Sequence, residues 1–149
     1  MSSGSAPVLF AYDGSELAQL AIEEAGRLLA PGRDAIVLCV WQPSDVGFVP
    51  VGEQHFDAAD AKEVCDAAER TAAYGAELAE RAGFAARSAA TQGAPIWKAL
   101  VAAADEHHAD LIVLGSHRRT GVVGHLLGSV AQAVATHFGG SVLIVHQRG

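Results

Sequence analysis

Lysine is almost missing from this chain. Among 149 residues only Lys62 and Lys98 occur, and the formal charge is −7. A nucleic-acid face needs clustered cations to displace the counterions of the phosphate backbone. Arg118-Arg119 is the single basic doublet, so no nucleic-acid partner is expected, although the doublet suffices for one polyphosphate. Cysteine is nearly as scarce. Cys39 sits in an apolar run, far from Cys65, which argues against a disulfide framework and for a reduced, cytoplasmic protein. Long apolar runs are missing too. Ile36–Trp41 and Ala99–Ala104 fall far short of the roughly 20 residues a membrane span needs, so no membrane association is expected. Met1 to Pro7 is rich in Ser and Gly and lacks a basic start. It does not read as a secretion signal, and residues 1–6 read as a flexible tail. No Cys/His cluster has zinc spacing, and no metal ligand set is assigned. Tandem repeats and linkers are absent, so residues 1–149 read as one domain.

What is present is an apolar, globular pattern, with hydrophobic residues making up 50% of the chain. Val8-Leu9-Phe10-Ala11-Tyr12 is a short apolar run closed by Asp13-Gly14-Ser15, which reads as a buried strand. Asp13 or Ser15 can cap the next segment, and Glu16 three residues after Asp13 suits a capping box. Leu17, Leu20, Ala21, Ala25 and Leu28 then recur at helical spacing until Pro31-Gly32. Ala35 to Trp41 is apolar at every position, as a strand covered on both faces of a parallel sheet would be. Residues 43–56 contain Pro43, Gly47, Pro50 and Gly52 and read as a long loop. Asp57 to Ala82 reads as a helix ended by Gly83, and Phe84 to Thr91 as a weaker strand. Gly93-Ala94-Pro95 opens a helix whose inner face is Ile96, Leu100, Ala103 and Ala104. Asp110–Leu114 is a fourth strand, a helix follows from about Gly128 to His137, and Ser141–Val145 is a fifth strand. Strands alternating with helices predict an α/β fold. It would be a doubly wound, open parallel five-stranded sheet with helices on both faces, a Rossmann-type three-layer sandwich. Ligands in such folds bind beyond the carboxyl ends of the strands, where the strand order reverses. If the first and fourth strands are neighbours, Tyr12-Asp13-Gly14-Ser15 and Leu114-Gly115-Ser116-His117 share one crevice.

The fourth strand runs directly into Gly115-Ser116-His117-Arg118-Arg119-Thr120-Gly121, with Gly124 and Gly128-Ser129 following. Glycine lets backbone N–H groups approach an anion closely, and a helix start supplies unpaired N–H groups and a partial positive charge. This is not a phosphate loop of the Walker type, because Ser129-Val130 follows Gly128 where a Lys-Ser/Thr pair is required. Nor is it a dinucleotide fingerprint, since Asp13-Gly14-Ser15-Glu16 stands after the first strand.

The spacing of this loop resembles that of the universal stress protein family. That pattern is Gly, two residues, Gly, nine residues, then Gly-Ser or Gly-Thr. Here Gly115 is followed by Ser116-His117, position 118, the nine residues Arg119 to Leu127, and Gly128-Ser129. The resemblance spans nearly the whole chain. The opening Val8 to Glu16, the strand Val37-Leu38-Cys39-Val40, Gly93-Ala94-Pro95 and Ser141 to Val145 are similar to the family's segments in the same order. The resemblance implies an ATP-binding, stress-responsive sensor or regulator with little or no hydrolysis. It implies adenine and ribose against Ala11, Tyr12, Asp13 and Val40, with Leu114 and Gly115 beside the ribose and first phosphates. Gly128, Ser129 and Val130 would take the later phosphates, with Mg²⁺ bridging them. It also implies a homodimer, and the apolar Ser141–Val145 is a fitting edge for pairing with a second copy.

One position departs from the family. Arg118 stands where the second glycine belongs. Its guanidinium is a good phosphate partner, yet its bulk could instead close the phosphate channel. A dimeric interaction module without nucleotide is therefore the alternative reading, and a slow nucleotide hydrolase the third. Other residues have plainer roles. Asp13 serves equally as a ligand acceptor or a helix cap. His107-His108 ends a helix, His117 and His125 flank the loop, and Ser15 and Ser129 have no base set beside them. Trp41 and Trp97 read as packing residues, with Trp41 near the presumed adenine side.

Overall fold

The computed structural model describes residues 6–42, 58–116 and 128–146. Within them five strands and four helices alternate: β1 (Val8–Ala11), α1 (Glu16–Leu28), β2 (Asp34–Trp41), α2 (Ala58–Arg81), β3 (Ala85–Gln92), α3 (Ile96–Glu106), β4 (Leu111–Ser116), α4 (Ser129–His137) and β5 (Ser141–His146). The strands form one sheet in the order β3-β2-β1-β4-β5. All pairings are parallel, with Val8 opposite both Ala35 of β2 and Leu111 of β4. The doubly wound sheet expected from the alternating pattern is the one observed, and β1 and β4 are indeed neighbours.

The apolar runs explain the layering. Alternate residues of β1 point to opposite faces of the sheet. Val8, Phe10 and Tyr12 pack with Ala18, Ile22 and Ala25 of α1 and Leu78 and Ala79 of α2. Leu9 packs on the other face with Ile36, Leu38 and Ile112, beneath Leu100 and Ala104 of α3 and Ala131 and Val134 of α4. Two helices thus cover each face. Each wholly buried Val, Leu, Ile or Phe contributes roughly 1.5–3 kcal/mol. Phe10 adds an edge-on contact with Phe84, at 5.2 Å and 76° between rings.

The structure chooses between the two capping residues that the sequence left open. Ser15, not Asp13, caps α1, its Oγ accepting from Ala18 N–H at 3.1 Å. Asp13 Oδ1 accepts from Ser15 N–H at 3.0 Å, which closes the turn before the helix. Gly14 between them has φ +84°, a left-handed conformation that costs a side-chain-bearing residue about 1 kcal/mol or more. Ala6, in the segment read as a flexible tail, accepts from Arg33 through its carbonyl, and Arg33 also pairs with Asp110. The rest of that tail and the loop 43–56 lie outside the described residues. Cys39 is buried, and neither it nor Cys65 forms a disulfide. Among the described residues no helix is long and apolar enough to cross a membrane.

Candidate functional site

The strand order reverses between β1 and β4, so the helices that leave these two strands go to opposite faces and a crevice opens at the carboxyl ends. A cleft of ≈ 320 Å³ lies there, within the usual range for small-molecule sites. Its walls have two characters. Leu38 and Val40 of β2, Ile96 and Leu100 of α3, and Leu114 of β4 make an apolar side. Asp13, Ser15, Ser116 and Ser129 supply the polar groups.

The polar end is built around the start of α4. No side chain caps this helix, and its first turn closes through Gln132 N–H to Gly128 O at 3.0 Å. The amides at such a start and the helix dipole together favour an anion. Gly128 itself is held by Ser116, whose Oγ accepts from Gly128 N–H at 2.8 Å. That N–H, expected from the sequence to face a phosphate, is therefore already engaged.

The nine described residues singled out in the sequence, Ala11, Tyr12, Asp13, Val40, Leu114, Gly115, Gly128, Ser129 and Val130, all line this one cleft. Arg118, the tenth, lies outside the described residues, as do His117 and His125. Tyr12 contributes differently from its neighbours. Its ring packs in the core under α1 and α2, so close to Gly75 that a Cβ there would stand 2.6 Å from it. Its main chain is bonded to β2 through N–H to Leu38 O at 3.0 Å. Burial raises the Tyr12 phenol above its ordinary value, and Tyr74, Asp13 and Cys39 push it the same way. The phenol thus stays neutral and is no acid–base group at neutral pH.

The sequence reading set Ser15 and Ser116 at the crevice without giving either a binding role, and it missed Leu17, Ala18, Leu38, Ile96, Leu100 and Ala131. Leu38 carried a signal, because it shares a strand face with Val40 two residues on. Ile96 and Leu100 were legible as an inner helical face, but not the fact that α3 passes over the cleft. Trp41 lies elsewhere than the presumed adenine side, in a cluster with Cys39, Ala68 and Ala72 beneath α2. Trp97 stacks on His137 at 4.2 Å. His107 caps the far end of α3 and accepts from Arg87 through Nδ1 at 3.3 Å, at the opposite end of the sheet. Among the described residues no group of three His, Cys, Asp or Glu side chains could hold a metal ion.

This is a doubly wound α/β domain whose cleft joins the ends of β1 and β4 to an uncapped helix start. The sequence matches the Universal stress protein family over residues 5–146, and the chain belongs to that family. Solved relatives have the same architecture. A universal stress protein from Archaeoglobus fulgidus is similar with a TM-score of 0.65 at 22% identity, covering 93% of this chain and 92% of its own. A universal stress protein in complex with cAMP is similar at 0.62 and 27% identity, covering 97% and 98%. A universal stress protein from Archaeoglobus fulgidus in complex with dAMP is similar at 0.56 and 20% identity, also covering 97% and 98%. The sequence matches none of the curated proteins compared with it.

Proposed function

We propose that this chain holds an adenine nucleotide in the β1/β4 cleft and acts as a stress-responsive sensor or regulator rather than as an enzyme. The observation that carries the reading is the convergence of an apolar slot and an uncapped helix start on one crevice at the strand-order reversal. The relative at 27% identity that binds cAMP supports an adenine compound as the occupant. The base lies against Ala11, Leu38 and Val40. Asp13 keeps its second carboxylate oxygen for ribose hydroxyls, while Leu114 and Gly115 border the sugar. The phosphates meet the amides of Ser129 and Val130 and the Ser129 hydroxyl. ATP is the expected form. Asp13 is the one carboxylate among the described lining residues, so Mg²⁺ would be held mainly by the phosphates themselves. The described lining offers no acid–base pair for attack on a phosphate, which supports little or no hydrolysis.

Thermal unfolding in the presence of AMP, ATP and ATP with Mg²⁺ tests this directly. A ligand at about a hundred times its dissociation constant adds about 2.7 kcal/mol of stability. The expected result is a saturable rise in Tm with adenine compounds, and phosphate release from ATP no faster than in buffer. No shift at millimolar concentration with any of them refutes the proposal.

The regulator form proposed is a homodimer joined through residues 141–145. The sheet has two edges, β3 and β5. The sequence of β3, Ala85 to Gln92, is made of small and polar residues around Arg87, and charge on an edge discourages pairing. The sequence of β5, Ser-Val-Leu-Ile-Val-His, carries no such guard, and Val142, Leu143 and Ile144 are only half-buried by their own chain. Light scattering is expected to give twice the chain mass for the wild type and the single mass for Leu143→Lys. A wild-type monomer at high protein concentration rejects the dimer.

A further inference from the structure

Ser116 carries the one buried aliphatic hydroxyl among the described residues, at 3% exposure. It is the last residue of β4, and Gly128 immediately precedes α4. The two therefore stand at the ends of the segment 117–127, and the hydrogen bond from Gly128 N–H to Ser116 Oγ ties those ends together whatever lies between. The strand end is fixed from its other side as well. With its Nδ1 protonated, His146 of β5 donates to the Ser116 carbonyl at 3.3 Å. The approach is tight, since a Cβ on Gly128 would stand 3.3 Å from Ser116 Oγ.

A serine hydroxyl accepts and donates at once. The Gly128 bond uses an acceptor site and leaves the hydroxyl proton, in a residue that borders the cleft beside Ser129 and Val130. A buried hydroxyl proton facing a site is costly unless something accepts it, and a phosphate oxygen at the helix start is such an acceptor.

We propose that Ser116 is a positioning residue for the nucleotide's phosphate: its Oγ holds Gly128 so that the α4 amides face the cleft, and its proton turns to the phosphate. This rests on the nucleotide reading above and adds a residue and a role to it. Gly128 then acts through Ser116 rather than by a phosphate contact of its own.

The test compares wild type, Ser116→Ala and Ser116→Thr in calorimetric titrations with AMP and with adenosine, and follows exchange of the Gly128 amide by NMR. Hydrogen bonds to charged groups are worth enough that Ser116→Ala should weaken AMP at least about tenfold. Adenosine, which lacks the phosphate, should bind the alanine variant as it binds wild type. The Gly128 amide should exchange faster in Ser116→Ala, and threonine, which keeps the hydroxyl, should restore AMP affinity and slow exchange. An equal loss for AMP and adenosine makes Ser116 a general structural tie and overturns the proposal. So does an alanine variant with wild-type AMP affinity, and either result leaves the nucleotide reading standing. Wild-type protein that binds neither compound overturns the nucleotide reading and this proposal with it.

Discussion

Gly128→Val is expected to abolish nucleotide binding while the protein stays folded. The backbone at Gly128 has φ −61° and ψ 155°, values that valine adopts freely, so main-chain strain is not the cause. The cause is space. The first carbon of the new side chain would stand 3.3 Å from Ser116 Oγ, and two methyl groups lie beyond it. Either the Ser116 hydroxyl turns away or the start of α4 shifts, and both weaken the bond that holds Gly128 to Ser116. Two charge-assisted hydrogen bonds from the helix amides are worth about 3–6 kcal/mol together, so AMP affinity should fall by about a hundredfold or more. Folding should suffer much less. Valine is a poorer cap residue than glycine, a difference of about 1 kcal/mol, and the fully buried residues beneath the sheet are untouched. Calorimetric titration with AMP and urea unfolding of the same preparation measure both quantities. A variant that binds AMP as tightly as wild type refutes the assignment of phosphate to this helix start.

The difference between what the sequence revealed and what it hid follows from how local each feature is. β1, β2 and β4 were legible because a strand covered on both faces must be apolar at every position, and Ala35 to Trp41 is. β3 was harder to read, since an edge strand made of Ala, Ser, Thr and Arg lacks that signature. The start of α1 offered two capping residues two positions apart, with Glu16 at capping-box spacing from Asp13. Geometry settles it for Ser15, because Asp13 accepts from Ser15 N–H and leaves the Ser15 hydroxyl to take Ala18 N–H. The strand end placed Ser116 at the crevice, but nothing local gave it a partner. A serine after a strand-ending glycine reads as a small loop residue, and its bond to Gly128 spans twelve positions. The cleft's apolar wall was half legible. Val40 came from the family resemblance, whereas Ile96 and Leu100 reach the site only because α3 crosses the sheet on the face opposite α1.

Gly115→Val should act in the opposite way to Gly128→Val, through stability first. The family resemblance sets Gly115 beside the sugar and first phosphates, as if its missing side chain made room for ligand. The packing supplies a different reason. A Cβ on Gly115 would stand 2.5 Å from Leu17 Cγ and 3.1 Å from the Leu17 carbonyl oxygen. Leu17 is buried in the first turn of α1, so the clash involves backbone as well as side chain and no rotamer change removes it. Relief requires α1 to lift from β4, which loosens the Ile22 and Ala25 contacts that cover this face. Overpacking of this kind costs about 3 kcal/mol, against a total stability of roughly 5–15 kcal/mol for a domain, and urea unfolding should show it as a lower midpoint. Leu17→Ala supplies the control. Alone it leaves a cavity and costs about 2–5 kcal/mol. Combined with Gly115→Val it removes the side-chain carbons that make the tightest contact and leaves only the Leu17 carbonyl oxygen, so the double variant should be more stable than the sum of the two losses allows, by about 1–3 kcal/mol. Simple additivity would mean that Leu17 does not explain the glycine. With the predicted coupling, Gly115 owes its lack of a side chain to the seating of α1, and that seating holds the Asp13-Gly14-Ser15 turn against the cleft.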